Sequence, residues 1–344
     1  MKKGIKVLGT ALLFALVLMG CTRPVEEESN DNVLSDNIII TETGEVIQKK
    51  PEVTEQPIDI EKIGEQVQEQ ANAVVTPKIQ LTEPEQEQII SEEDQIAPAG
   101  NALQIVFLGD SIFDFSRDGT GIPYLTGVQC EADVYNLAIG GTSASLEPDD
   151  RAENELIVSQ SLIGVVKVLE GYTSTSSFTG TRTKDILDNT DINWAETDYF
   201  VIEYGLNDFF RAAPLSNLEN EYDLYTYAGA LRYAVSNLKK VAVDATIILC
   251  APNYAQFFNG SQMIGDGNTL NTGYGTLYDY KGICQYVANE RQAVFFDAYL
   301  DLGINGYTAE DYLEDGVHLT AEGRQLYADA LAKRILSLEE TKNN

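Results

Sequence analysis

LQIVFLGDS, residues 103–111, runs four apolar residues, Ile105 to Leu108, straight into Gly109, Asp110 and Ser111. A short apolar run closed by turn residues is how a strand covered on both faces reads, and it is too short for a buried helix. Gly109 permits a sharp turn, which leaves Ser111 at the carboxyl end of the strand with its hydroxyl free. Parallel sheets present those ends to the ligand crevice. Taken alone, Gly-Asp-Ser is equally ordinary turn chemistry.

Working outward, the stretches 133–139, 199–204, 245–251 and 293–297 read as four more strands of the same apolar kind. Helical patterns stand between and after them. Leu224, Ala228, Leu231, Val235 and Leu238 share one helical spacing, as do Tyr327, Leu331 and Ile335. Five strands alternating with helices predict an α/β fold of three α/β/α layers around a parallel sheet. In the order 2-1-3-4-5, the first strand lies between the second and third, and the switch point falls beside Ser111.

The other strand ends then become informative. The second runs into NLAIGGTSAS, where Gly140 and Gly141 let the backbone approach a bound group and aim an N–H at it. The third runs into IEYGLNDFF, placing the neutral amide donor Asn207 in the same situation. A nucleophile flanked by two donors lacks only a base. EDGVHLT, residues 314–320, holds the only histidine of the chain, His318. The fifth strand stands three gaps from the first, about 14 Å at ~4.8 Å per gap. The twenty residues 298–317 span that distance easily, with a short helix near 308–312 to take up slack.

These four blocks, in this order, resemble the motifs of the SGNH hydrolases within the GDSL esterase/lipase superfamily. They are Gly109-Asp110-Ser111, Asn136 to Gly141, Gly205-Leu206-Asn207-Asp208 and Asp315-Gly316-Val317-His318. The resemblance spans roughly residues 103–337 and implies a flavodoxin-like fold. It implies Ser111 as nucleophile, His318 as general base and Asp315 as the group orienting the imidazole. It also implies an oxyanion hole made of the Ser111 N–H, the Gly141 N–H and the Asn207 side chain. Gly141 is chosen over Gly140 because the family's donor lies five residues after the asparagine of its block. Ile112 replaces a common leucine without consequence, and Asp208 is expected to fix the loop.

The front of the chain has a different character. Lys2, Lys3 and Lys6 precede the apolar run VLGTALLFALVLMGC, the outline of an export signal. Its ending, Leu18-Met19-Gly20-Cys21, resembles a bacterial lipobox, which implies residues 1–20 as signal peptide and Cys21 as a lipidated first residue. Residues 21–100 are then expected to be an acidic, disordered tether. After Cys21 they hold 19 acidic and 5 basic residues and no aromatic, and such a segment cannot offset the entropy of ordering. Ile60, Ile63, Val67 and Val74 allow one weak amphipathic helix within it. The folded domain occupies 101–344.

With 54 Asp and Glu against 23 Lys and Arg, the net charge of −31 argues against a nucleic-acid partner or a basic membrane-binding face. Membrane attachment is expected through the lipid on Cys21 alone, with the domain facing outward. Cys130, Cys250 and Cys284 are an odd number in an exported chain and argue against a disulfide framework. No CxxC or clustered His/Cys pattern exists, so neither a metal nor a cofactor is expected.

The substrate reading rests on residues 253–282, NYAQFFNGSQMIGDGNTLNTGYGTLYDYKG, which follow the fourth strand. This stretch offers amides and aromatic rings but little aliphatic surface for a long acyl tail. Tyr254, Phe257, Phe258 and Tyr274 are therefore expected to face a hydroxylated substrate, although they could equally pack on the sheet. The expectation is removal of short acyl groups, acetyl above all, from a carbohydrate or cell-wall ester. Two other readings stand beside it: a non-catalytic glycan- or solute-binding lipoprotein on an esterase scaffold, and an acyltransferase using the same triad.

Overall fold

The computed structural model describes residues 38–40, 46–48, 102–150 and 157–342. The chain divides into two units, Met1–Pro57 and Ile58–Asn344. In the first, two short strands, Ile38–Ile40 and Val46–Gln48, pair antiparallel. That pair departs from the expected unstructured tether, and the local reason is composition: III and VIQ are rich in β-branched residues. The export signal, Cys21 and the pattern of Ile60, Ile63, Val67 and Val74 lie outside the described residues.

The second unit is built on a five-stranded parallel sheet. Its strands are β1 (Gln104–Gly109), β2 (Asp133–Asn136), β3 (Tyr199–Glu203), β4 (Thr246–Cys250) and β5 (Val294–Phe296). They lie in the order β2-β1-β3-β4-β5, each pair parallel. The expected order holds. All of β3 and all but the first residue of β1 are buried, as a sheet covered on both faces requires. β2 ends earlier than its apolar run suggests. Leu137 and Ile139 still donate N–H bonds to Phe107 O and Gly109 O, so the chain stays beside β1 while its ladder becomes irregular.

Helices cover the sheet. They are α1 (Ser111–Asp114), α2 (Ile122–Cys130), α3 (Leu162–Leu169), α4 (Arg182–Leu187), α5 (Leu206–Phe210), α6 (Tyr227–Val241), α7 (Leu277–Arg291), α8 (Ala309–Tyr312) and α9 (Ala321–Lys342). α2 packs on α9, while α3 and α7 pack on α6. The helical spacings were a sound guide to the buried faces. Ala228, Leu231, Val235 and Leu238 of α6 are buried, as are Tyr327, Leu331 and Ile335 of α9. Leu224 precedes α6, whose first turn is capped by the Thr226 hydroxyl accepting from Gly229 N. Cys130, Cys250 and Cys284 are buried free thiols.

Between β4 and α7 stands a small antiparallel hairpin, Gln256–Asn259 with Gln262–Asp266. Gln256 N donates to Gly316 O at 2.7 Å, which ties this hairpin to the segment carrying Asp315 and His318.

Candidate active site

Three strand ends and one return loop converge beyond the carboxyl edge of β1. Ser111 opens α1 directly after β1, with Asp110 as the helix cap accepting from Ile112 N at 3.0 Å. That cap fixes the turn and leaves the Ser111 N–H without a partner among the described residues. His318 Nε2 stands 2.8 Å from Ser111 Oγ, and its Nδ1 stands 2.7 Å from Asp315 Oδ2. The other Asp315 oxygen accepts from His318 N and Val317 N, at 2.8 and 2.9 Å. Burial works to raise the Asp315 carboxyl, but the imidazole and these two N–H groups outweigh it and hold it below the usual range. Asp315 is thus an anion at neutral pH, fixing the ring with Nδ1 as donor and Nε2 facing the serine.

Phe115 covers one face of that ring. The two rings stack at 4.8 Å between centroids and 14° between planes. Sequence reasoning passed over Phe115. Its spacing, four residues after Ser111 and so one helical turn on, is the available signal.

The loop after β2 is held from every side. Ile139–Thr142 form a turn closed by Thr142 N to Ile139 O at 3.3 Å, with Gly141 in its third position at φ 77°. That position needs a positive φ, which is why glycine stands there. Gly140 N donates to Asp114 Oδ2 at 2.7 Å, and Arg117 holds Asp114 while also donating to Asn136 O and Ala138 O. Asp208, fully buried, accepts from Ala144 N, Ser145 N and the Ser145 hydroxyl. It fixes the loop, as its place beside Asn207 suggested. The Gly141 N–H has no hydrogen-bond partner among the described residues, whereas that of Gly140 is consumed. Gly140 itself lies against the serine, since a Cβ on it would stand 3.7 Å from Ser111 Cβ.

Asn207 reaches the same place with a complication. Its Nδ2 donates to Asp110 Oδ2 at 3.1 Å and to Thr142 O at 2.9 Å, so both amide hydrogens are engaged. To donate to a bound group, Asn207 must release one of them. Below it lie two buried carboxyls. Burial pushes Asp110 up to about 6, against the pull of the Ile112 N–H and His318. Glu203, also fully buried, is raised well above the usual range by burial and by the charge of Asp110, both of which favour its protonated form.

Two of the expected substrate contacts need correction. Tyr254 and Phe257 are 2% and 1% exposed and belong to the core. Phe257 stacks on Phe209 at 5.2 Å, and the Tyr254 hydroxyl donates to Asp266 Oδ2. Their apolar rings gain more from packing in the core, Phe257 against Phe209 and Phe210 of α5 and Tyr254 against Tyr299, than an exposed position would give. Phe258 is half-buried and flanks Gly316, where a Cβ would meet its ring at 2.9 Å. Tyr274 is exposed. The hairpin therefore buttresses the Asp315–His318 segment, and aromatic composition alone could not separate that role from substrate contact.

A serine hydroxyl on an oriented imidazole, with two unengaged N–H groups at its side, is the equipment of acyl transfer. The model of the GDSL-like lipase/acylhydrolase family matches residues 107–326. The chain belongs to that family. This GDSL-like, SGNH-type protein thus has an ester-hydrolase ancestry and the three-layer fold that goes with it. No curated protein matches it. One solved crystal structure covers 69% of this chain and 97% of its own at 21% identity, with a TM-score of 0.53. A Lactobacillus plantarum protein covers 69% and 98% at 16% identity and a TM-score of 0.48. A family two carbohydrate esterase from Clostridium thermocellum, in complex with cellohexaose, covers 71% and 67% at 18% identity and a TM-score of 0.43. The first likeness is one of fold alone, and the other two are too distant to decide anything.

Proposed function

We propose that this GDSL-like protein is a serine ester hydrolase that removes short acyl groups, acetyl above all, from a carbohydrate or cell-wall ester outside the cell. The observation that carries the reading is the unbroken line from Ser111 Oγ through His318 to Asp315, at 2.8 and 2.7 Å. His318 Nε2 takes the Ser111 proton as Oγ attacks the ester carbonyl carbon. The negative charge that develops on the carbonyl oxygen is received by the Ser111 and Gly141 N–H groups, joined by Asn207 once it turns from Thr142 O or Asp110. His318 then gives the proton to the departing alcohol oxygen, leaving an acyl-serine. Water, deprotonated by the same imidazole, releases the acid. Asp315 remains an anion throughout and stabilises the imidazolium.

Short acyl groups are favoured because the exposed part of the loop after β4, with Asn259, Ser261, Gln262, Asn268 and Tyr274, is polar and poor in aliphatic surface, and the export signal and acidic tether favour a cell-surface polymer as substrate. Lipid attachment at Cys21 belongs to the same proposal. A fluorophosphonate probe should label Ser111, and Ser111→Ala or His318→Ala should lower kcat by at least ~10³-fold. Near-normal hydrolysis in His318→Ala would sink the mechanism, because no other histidine exists to substitute. Hydrolysis that rises steadily from acetyl to octanoyl esters, with no acetate released from acetylated polysaccharide, would refute the substrate class.

A further inference from the structure

Two arginines hold the loop after β2: Arg117 grips its start at Asn136 O and Ala138 O, and Arg211 grips it at Gly141 and Ser143. Arg211 caps α5, four residues after Asn207, so both side chains leave the same face of one helical turn. Its guanidinium donates to Gly141 O at 2.8 Å and to Ser143 Oγ at 3.0 Å, and it pairs with Glu147. Together Asn207, Asp208 and Arg211 grip Gly141, Thr142, Ser143, Ala144 and Ser145 in succession, from a single short helix. Asp208 and Asn207 hold the far half of the loop, and Asp114 holds Gly140. Among the described residues, only Arg211 holds Gly141, the glycine whose own N–H is unengaged there.

We propose that Arg211 is a positioning residue: by fixing Gly141 it places the Gly141 N–H where the oxyanion forms, and it acts on the chemical step rather than on substrate affinity. This rests on the serine-esterase reading above. A donor must sit within a few tenths of an ångström of its place before the oxyanion arrives, and a loop free to drift by 1 Å loses much of its effect. Arg suits the task because its rigid fork spans a carbonyl, a hydroxyl and a carboxylate at once. Glu147 has a lesser part, since it balances the charge of Arg211 and makes no hydrogen bond to Gly141 or Ser143.

The test compares Arg211→Met, Arg211→Ala and Glu147→Gln in the whole chain, with an acetyl ester as substrate. Arg211→Met keeps most of the apolar stem, so it keeps the test open even if Arg211→Ala fails to fold. Both should lower kcat by about 10- to 100-fold. KM should move less than about twofold, because the lost contact matters only in the transition state. Fluorophosphonate labelling of Ser111, which also develops charge on the oxyanion site, should slow in parallel. Guanidinium at millimolar concentration should restore part of kcat to Arg211→Ala, which a general loss of structure would not permit. Glu147→Gln should stay within about threefold of the parent. The proposal is overturned if Arg211→Met keeps kcat within threefold of the parent, if its loss lies in KM alone, or if Glu147→Gln loses as much. A parent chain that neither hydrolyses esters nor labels at Ser111 would instead overturn the esterase reading itself.

Discussion

Glu203 offers a measurement that isolates one buried proton. It ends β3, is fully buried, and has as titratable neighbours Asp110, Asp208, Tyr204, Tyr227, Tyr327, Cys250 and Cys284. None of these is a cation, so nothing offsets the cost of charging it. Its carboxyl is raised well above the ordinary 4.5, first by burial and then by the charge of Asp110. Above pH 4.5 the folded chain therefore keeps a proton that the unfolded chain has lost, and stability falls as pH rises. The slope for one such proton is at most about 1.4 kcal/mol per pH unit. Below pH 6 Asp110 contributes in the same direction, because its own carboxyl is raised to about 6. Asp110 stands in both the parent and a Glu203 variant, so the gap between the two chains is compared over pH 6 to 8. Glu203→Gln removes the proton exchange while keeping shape and volume, so its stability lacks this part of the slope. The gap in unfolding free energy should widen in favour of the variant by up to about 2.7 kcal/mol across that window. For a domain of this size that is roughly 5–10 °C in Tm. Denaturant melts of both chains at several pH values read it directly, and the pH at which the gap levels off is the carboxyl's own. A gap that stays constant from pH 6 to 8 would mean that Glu203 is already ionised in the fold, and the account of the buried pair would fail.

Gly316→Ala tests the buttress. Gly316 has φ 91°, and a Cβ there would stand 2.5 Å from Gln256 O, so the hairpin and the Asp315–His318 segment must move apart. A loss of about 1–3 kcal/mol in stability with at least a tenfold fall in kcat is expected; an unchanged kcat would show that the hairpin does not set the histidine. Asn207→Ala should lower kcat by roughly 10²–10³ with little change in KM, and a pure KM effect would make it a substrate-binding residue instead. Cys21→Ala should leave the membrane fraction, and variant protein that stays there with its signal removed would end the lipid-anchor reading.

What the sequence determined by itself was local and repetitive. Apolar runs of strand length ending in Gly, Asp and Asn turns are legible because propensity and turn chemistry act over a few residues. Five such runs separated by helical spacings leave the doubly covered sheet as the natural solution, and Ser111, Asn207 and His318 fall at its open edge. The solitary histidine helped, since no other imidazole competed for the serine. Tertiary structure decided whatever depends on partners far along the chain. It sent Tyr254 and Phe257 inward while leaving Tyr274 outside, although all three stand in one aromatic loop, because burial depends on which rings meet partners such as Phe209 and Tyr299 from distant segments. It used the Gly140 N–H on Asp114, 26 residues away, and left that of Gly141 without a partner among the described residues. It placed Phe115 over the imidazole, set Arg211 on Gly141, 70 residues before it, and buried Glu203 beside Asp110. A sequence carries the identity of each donor and acid. Which of them is satisfied, and which is left for chemistry, depends on hydrogen bonds closed only when the distant segments pack.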